Sequence, residues 1–474
     1  VSVARRLFGT DGIRGVANTH PMSAELTMKL GRAVGYLLYQ HHEREGRSGR
    51  PYVVIGKDTR ISGYMIETAL ISGLCSAGVD CYIAGPLPTP GVAFLTVSRR
   101  ADAGFVISAS HNPFEDNGVK IFARDGFKLP DEDEATLEAL MESQTLDDFR
   151  PTGEQVGRAT RIDDAKGRYN VSVKQAFPRD LSLSGLKIAI DCAHGAAYKV
   201  APQVLQELGA EVVCVGVSPD GLNINEGCGA THPEHLAELV RREGADAGIC
   251  LDGDADRCIM INERGEPLDG DQLLAILARA LHARGALPGN TIVTTVMSNL
   301  GLEATLKPLG VTVERVQVGD RYVVARMREG HFALGGEQSG HIILSEYATT
   351  GDGLAAALAV LGVAVREGKA LSELGAEMRR FPQRLESFEV ASKPPLESLP
   401  NTQALIARAE GELGSNGRVL VRYSGTQRMA RVMVEGPALE QVNRLVSELS
   451  ASLLHEIQAH PLSQSHPLSA EEAP

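Results

Sequence analysis

Gly104-Phe105-Val106-Ile107-Ser108-Ala109-Ser110-His111-Asn112-Pro113 passes from an apolar run straight into a short polar turn. A second stretch, Ala247-Gly248-Ile249-Cys250-Leu251-Asp252-Gly253-Asp254-Ala255-Asp256-Arg257, has the same build. Short apolar runs rich in β-branched residues read as buried strands. Residues 52–55, 186–190, 212–215, 247–251 and 291–296 are such runs. Between them lie stretches with a helical face, such as Leu26, Leu30, Val34 and Leu38, or Leu273, Leu274, Leu277 and Leu281. Strands alternating with helices predict α/β domains with largely parallel sheets.

In open sheets of that kind the chemistry gathers where strands end. The loops Gly56-Lys57-Asp58-Thr59-Arg60, Asp191-Cys192-Ala193-His194-Gly195 and Asp252-Gly253-Asp254 each follow a strand. Three similarly built units would give three such edges, although no residue-level repeat is visible.

A chain of 474 residues is too long for one core. Breaks are expected at 151–157, near Arg257, and at 381–400. Beyond these, 419–421 and 432–434 read as short antiparallel strands. A helix is expected from Pro437 to about His455, with Leu439, Val442, Val446, Leu449 and Leu453 on one face. The Pro-, Ser- and Glu-containing end reads as a disordered tail.

The net charge of −13, from 60 acidic and 47 basic residues, disfavours nucleic acid or an anionic membrane as a partner. An anionic substrate would need a local basic pocket. No stretch approaches the ~20 apolar residues of a membrane span, and no signal-peptide core stands at the N-terminus. The seven cysteines never form Cys-x-x-Cys, so reduced thiols in a cytoplasmic protein are expected.

Ser110 offers a hydroxyl for phosphorylation. It lacks the Gly-x-Ser-x-Gly setting of a hydrolase nucleophile, and adjacent His111 is badly placed as its base. Asp252, Asp254 and Asp256 begin like an EF-hand, but Arg257 stands where the calcium loop needs glycine, and strands flank the segment. Carboxylates at i, i+2 and i+4 with Arg257 beside them suit a hard cation held against a phosphate, with Mg2+ the default ion.

Glu337-Gln338-Ser339-Gly340-His341 sets a carboxylate, an amide, a hydroxyl and an imidazole on a glycine-flanked loop, which suits a sugar's polar groups. Arg422-Tyr423-Ser424-Gly425-Thr426 reads as a phosphate cradle or an ordinary hairpin turn. Arg14, in Gly9-Thr10-Asp11-Gly12-Ile13-Arg14-Gly15, is a further anion contact. Lys120 is a proton shuttle if burial or neighbouring charge lowers its pKa.

In this order, the segments from Phe8 to Gly15, at 107–121, Cys228-Gly229-Ala230-Thr231-His232-Pro233-Glu234, 252–257, 336–341 and 422–435 resemble the α-D-phosphohexomutase superfamily. The resemblance covers nearly the whole chain. Gln338 in the second place of its motif looks like the glucosamine branch; the mannose/glucose mutases more typically have Met there.

The resemblance implies three mixed α/β sandwich domains (1–155, 156–257 and 258–380) and a smaller C-terminal α+β domain (381–456) around a central cleft, with 457–474 as the tail. It implies Ser110 as phosphoserine, and Asp252, Asp254 and Asp256 as ligands of one Mg2+ whose shell the Ser110 phosphate completes. Arg14, Lys120, Arg257 and His341 are its active-site basic groups. Glu337, Ser339, Arg422, Ser424, Gly425, Thr426 and Arg431 bind substrate.

The implied activity interconverts glucosamine 6-phosphate and glucosamine 1-phosphate through a 1,6-bisphosphate, feeding UDP-N-acetylglucosamine and cell-wall precursors. Phosphomannomutase/phosphoglucomutase activity is the alternative within the family. A glucosamine or glucose 1,6-bisphosphate activator and a homodimer are implied too. A sugar-phosphate binding protein and a Mg2+-dependent phosphatase are the readings from other classes. One departure stands out: Gln427-Arg428 replace the usual Glu-Pro of the phosphate loop.

Overall fold

Every apolar run singled out above forms a strand. In the computed structural model, which describes residues 7–424 and 428–460, the chain folds as two units. One is Val1–Ser298 with Thr305–Met378, and the other is Asn299–Ala304 with Arg379–Pro474.

The first unit holds three sheets. The first contains β1 (Ile13–Val16), β2 (Tyr52–Lys57), β3 (Asp80–Pro86), β4 (Ala103–Ile107), β5 (Asp116–Ala123) and β6 (Ala159–Arg161), in the order β1-β5-β4-β2-β3-β6. The second contains β7 (Lys187–Asp191), β8 (Glu211–Val215), β9 (Ala247–Leu251), β10 (Cys258–Asn262) and β11 (Pro267–Leu268), in the order β11-β10-β9-β7-β8. The third contains β12 (Thr291–Thr295), β13 (Thr312–Val316), β14 (Leu334–Gly336) and β15 (Ile342–Leu344), in the order β13-β12-β14-β15.

The three sheets share one plan. A parallel trio, β3-β2-β4, β8-β7-β9 or β13-β12-β14, is extended by one antiparallel strand, β5, β10 or β15. Helices cross between the parallel strands, as such connections require, whereas the antiparallel strand needs only a loop. The sheets are therefore mixed, parallel through the trio and antiparallel at the added strand. Three candidate loops of the first unit lie at hairpin tips: Ser110 between β4 and β5, the aspartates between β9 and β10, and 337–341 between β14 and β15.

The expected break near Arg257 falls inside the β9–β10 hairpin, and the second sheet continues to Leu268. Apolar side chains of the helix Ala24–Glu45, including Leu30, Val34 and Leu38, pack beneath the first sheet with Val53, Ile55 and Phe105. The helix Gly270–Ala283 buries Leu273, Leu274, Leu277 and Leu281 as its spacing predicts, and starts at an Asp269 capping box.

In the second unit β16 (Gln383–Glu389), β17 (Arg418–Tyr423) and β18 (Met429–Glu435) form an antiparallel sheet ordered β16-β18-β17. The helices Pro400–Leu413 and Leu439–Ala459 supply its core. The last helix starts later than expected, because Ala438 is its cap and Pro437 precedes it. It also ends later: buried Ile457 extends the apolar face into the first residues expected of the tail. Residues 461–474 lie outside the described residues. All seven cysteines are free thiols. Among the described residues no helix is long and apolar enough to cross a membrane.

Candidate active site

Ser110 adopts a left-handed backbone, φ 51°, a conformation uncommon outside glycine and asparagine. It is 1% exposed. Its hydroxyl donates to Asp252 Oδ2 at 2.6 Å, across 142 residues of sequence, and lies 3.4 Å from His111 Nδ1. The tip of the β9–β10 hairpin comes this close because residue 253 is glycine. A Cβ there would meet the Ser110 carbonyl oxygen at 2.6 Å.

Asp252, Asp254 and Asp256 are buried, and one carboxylate oxygen from each lies within 4.8 Å of the others. Asp254 Oδ2 accepts from Thr89 Oγ1 at 2.5 Å and from Lys120 Nζ at 2.8 Å. Asp256 Oδ2 accepts from Lys120 at 3.0 Å. The other oxygens of Asp254 and Asp256 are buried with no hydrogen-bond partner. Buried anionic oxygens left unpaired are strongly unfavourable, so the donor set fits a hard cation. Burial, reinforced by Asp256 and Asp254, pushes Asp252 well above the usual carboxylate range. A cation among the three would offset that repulsion.

Lys120 does not meet the condition set for it from sequence. Burial alone would lower its pKa, but Asp11 at 3.1 Å, Asp254 and Asp256 outweigh burial and hold it well above the ordinary lysine value. It is an ammonium here, a proton donor and counter-charge. His111 goes the other way: burial, then Arg257 and Arg14, depress it to about 4, so its imidazole is neutral near pH 7.

Arg14 pairs with Asp11, and Asp11 also pairs with Lys128, which reaches on to Asp320. Asp320 Oδ2 lies 3.6 Å from His341 Nε2, and neither ring nitrogen of His341 has a hydrogen bond. The Arg257 main chain bridges to His341, and its amide donates to Asp252. Glu337 accepts from the Gly319 amide at 3.1 Å and from Ser339 Oγ at 3.3 Å. The first unit therefore brings Ser110, the three aspartates, Lys120, Arg14, Arg257 and His341 into one linked network. Glu337 and Ser339 stand on the neighbouring hairpin tip.

In the second unit Arg422 and Arg431 face each other across β17 and β18. Like charges directly opposite are unfavourable. Burial and Arg431 lower the Arg422 pKa, and the Nε of each guanidinium is buried without a partner. That arrangement calls for an anion. Ser424 follows β17, and its carbonyl accepts from Lys393 Nζ at 2.6 Å. Gly425, Thr426 and Gln427 lie outside the described residues.

The sequence reading passed over Asp11, Thr89, Lys128 and Asp320. It quoted Asp58 and Arg60 in a polar loop but gave them no role. Only that loop's place at the end of β2 marked them; the others pair with residues far away in sequence.

Models of the phosphoglucomutase/phosphomannomutase family match nearly end to end. Alpha/beta/alpha domain I matches residues 5–148, domain II 167–265, domain III 269–381 and the C-terminal domain 385–452. A phosphoglucosamine mutase of Anaeromyxobacter dehalogenans is 55% identical over 461 residues, 95% of this chain and 99% of that protein. A Burkholderia thailandensis protein described as belonging to the phosphoglucomutase/phosphomannomutase family has a similar structure. Its TM-score is 0.76 at 24% identity, covering 94% of this chain and 97% of that one. Aspergillus fumigatus N-acetylphosphoglucosamine mutase, solved with GlcNAc-6P and magnesium, shares the fold at TM-score 0.66 and 19% identity, over 95% and 96% of the two chains.

Proposed function

The chain belongs to the phosphoglucomutase/phosphomannomutase family, and from that premise we propose that it is a phosphoglucosamine mutase. It is an isomerase that interconverts glucosamine 6-phosphate and glucosamine 1-phosphate. The relatives carry the choice of sugar. The chemistry rests on one observation: the buried Ser110 hydroxyl set 2.6 Å from Asp252 in a three-carboxylate cluster in which one oxygen each of Asp254 and Asp256 lacks a hydrogen-bond partner.

Ser110 in its phosphorylated form gives the phosphoryl group to the free hydroxyl of glucosamine 6-phosphate. The bond from Ser110 Oγ to phosphorus breaks as the bond from the sugar oxygen forms, and glucosamine 1,6-bisphosphate results. After the sugar turns over, Ser110 takes back the 6-phosphate and glucosamine 1-phosphate leaves. Glucosamine or glucose 1,6-bisphosphate phosphorylates the resting serine. Mg2+ held by Asp252, Asp254 and Asp256 with the serine phosphate would neutralise charge on the phosphoryl oxygens.

Lys120, as an ammonium, protonates the serine oxygen when its phosphoryl group departs. His341, with both ring nitrogens unbonded, takes the proton from the attacking hydroxyl. Arg14 and Arg257 neutralise phosphate oxygens. Glu337 and Ser339 read the sugar, and Arg422, Ser424, Gly425, Thr426 and Arg431 cradle the phosphate that is not being transferred. Free thiols and a charged substrate support a cytoplasmic enzyme. The family resemblance supports a homodimer.

The test is Ser110→Ala. Intact-mass measurement should find a phospho-form that maps to Ser110 and vanishes in the variant, with nearly all isomerisation lost. Full activity in Ser110→Ala would overturn the mechanism. Comparing turnover of glucosamine, glucose and mannose 6-phosphates separates this activity from phosphomannomutase/phosphoglucomutase.

A further inference from the structure

The guanidinium of Arg60 is wholly buried, and all its donors point at one loop and one carboxylate. Nε donates to Asp58 Oδ2 at 2.8 Å. Nη2 donates to the carbonyls of Ser110 at 2.9 Å and Asn112 at 2.8 Å. Nη1 donates to the carbonyls of Pro113 and Asp116. Three carbonyls of the segment joining β4 to β5, and that of the first β5 residue, thus end on a single side chain. The circuit closes on the other side of Ser110. Asp58 Oδ2 accepts Ser108 Oγ at 2.7 Å, and Ser108 Oγ accepts the Ser110 amide at 2.9 Å. Asn225, from the second sheet's side, adds a second donor to the Ser110 carbonyl at 2.9 Å.

We propose that Arg60, braced by Asp58 and Ser108, is a positioning residue that fixes the peptide groups on both sides of Ser110 and so aims its Oγ during both phosphoryl transfers. The role rests on the phosphoserine reading above. A left-handed serine relaxes unless its surroundings over-determine it, and the circuit does so. Ser110 must meet two different ends of the same sugar, so a loop that drifts by an ångström loses alignment in both half-reactions. Only arginine supplies five donors in a rigid plane; lysine would keep the charge but offer three donors from one point.

A buried ion pair of this kind is weak evidence for stability by itself. A purely structural cross-link predicts loss of folded protein with unaltered turnover per folded molecule. The positioning role predicts a folded enzyme that binds sugar phosphate and turns it over slowly.

The experiment compares wild type, Arg60→Lys, Arg60→Met and Ser108→Ala by steady-state kinetics with glucosamine 6-phosphate, by thermal melting, and by amide hydrogen exchange of residues 108–113. Arg60→Met should lower kcat on the order of 100-fold with KM within about threefold, and Arg60→Lys should fall between it and wild type. Exchange at 108–113 should quicken in the same order while the rest of the first sheet stays protected. Wild-type kcat per folded molecule in Arg60→Lys and Arg60→Met overturns the proposal.

If neither Arg60 variant folds, Ser108→Ala decides, because it removes two hydrogen bonds, to Asp58 and from the Ser110 amide, and no charge. A roughly tenfold fall in kcat supports the clamp, and an unchanged kcat overturns it. A wild-type protein that fails to isomerise the sugar phosphate, with exchange at 108–113 still governed by Arg60, would sink the proposed function and not the clamp.

Discussion

Asp352 sits at the N-cap of the helix Gly353–Glu367, 5% exposed, and burial raises its pKa from 3.8 to about 6. It accepts from the Ala355 amide at 2.9 Å and from Tyr169 Oη at 3.0 and 2.9 Å. Both donors oppose the rise without cancelling it. The folded state therefore keeps a proton that the unfolded chain has released between pH 4 and 6. Stability from protonated Asp352 is fully present below about pH 4 and is lost as pH rises through about 6. A shift of two units corresponds to about 3 kcal/mol at pH 7.

Asp352→Asn keeps the shape and both partners, since the amide oxygen accepts from Ala355 and the amide nitrogen donates to Tyr169 Oη. The variant should match wild type near pH 4 and exceed it by up to about 3 kcal/mol at pH 7.5. Urea unfolding followed by far-UV circular dichroism measures this, because the chain has no tryptophan to report by fluorescence. Taking the difference between the two proteins at each pH removes the titration of the other carboxylates. A flat difference, or one largest in acid, would refute the argument. Because the Gly353 amide donates to the Ala255 carbonyl in the aspartate loop, activity near pH 6 should shift with it.

The remaining predictions concern the chemistry. Mg2+ should stabilise wild type by about 2.7 kcal/mol at a hundredfold excess over Kd, read as a rise in melting temperature, and Asp254→Asn should abolish that rise and lower turnover with it. A normal Mg2+ shift in the variant would make the aspartates structural. Glu337→Gln should narrow the preference for glucosamine over glucose phosphate by one to two decades in kcat/KM, as a charge-assisted hydrogen bond of roughly 1.5–3 kcal/mol requires; an unchanged preference assigns the ammonium to another group. Gln427→Glu with Arg428→Pro should raise KM and flatten its salt dependence, because a cation beside the proposed phosphate cradle is exchanged for an anion. A large rise in kcat at constant KM would mean that the natural loop impairs turnover.

The strands most legible in sequence are those buried on both faces. β9 is buried at every residue, and its limits match the apolar run. Their antiparallel partners were harder. β5, Asp-Asn-Gly-Val-Lys-Ile-Phe-Ala, carries polar groups into the site and so breaks the apolar pattern, while β14 and β15 have three residues each, too few for a period. That is why the antiparallel additions to the first and third sheets went unread.

The site divides in the same way. Ser110 and the aspartates were legible because a strand delivers them and their side chains have one evident chemistry. Lys128 pairs with Asp320 across 192 residues, and Thr89 with Asp254 across 165. No local pattern encodes such pairs. The charge state of Lys120 depended on them too, since Asp11, Asp254 and Asp256 reach it from distant loops.

The shared plan of the three sheets explains why no repeat shows in the residues. The plan constrains the strands to be apolar, which many sequences satisfy, and leaves each hairpin tip free for a different task. One tip carries Ser110, one the three aspartates, and one Glu337 and Ser339. The tips are coupled even so. Ser110 donates to Asp252, and the Cys258 amide at the far end of that loop donates to the Gly340 carbonyl at 3.0 Å. Glycine is required at residue 340, where φ is 89° and a Cβ would lie 2.1 Å from the Cys258 carbonyl oxygen. The acidic loop therefore braces both neighbours. Chemistry at Ser110 and recognition at Glu337 should respond together to changes in residues 252–258, and separately to changes in either outer loop.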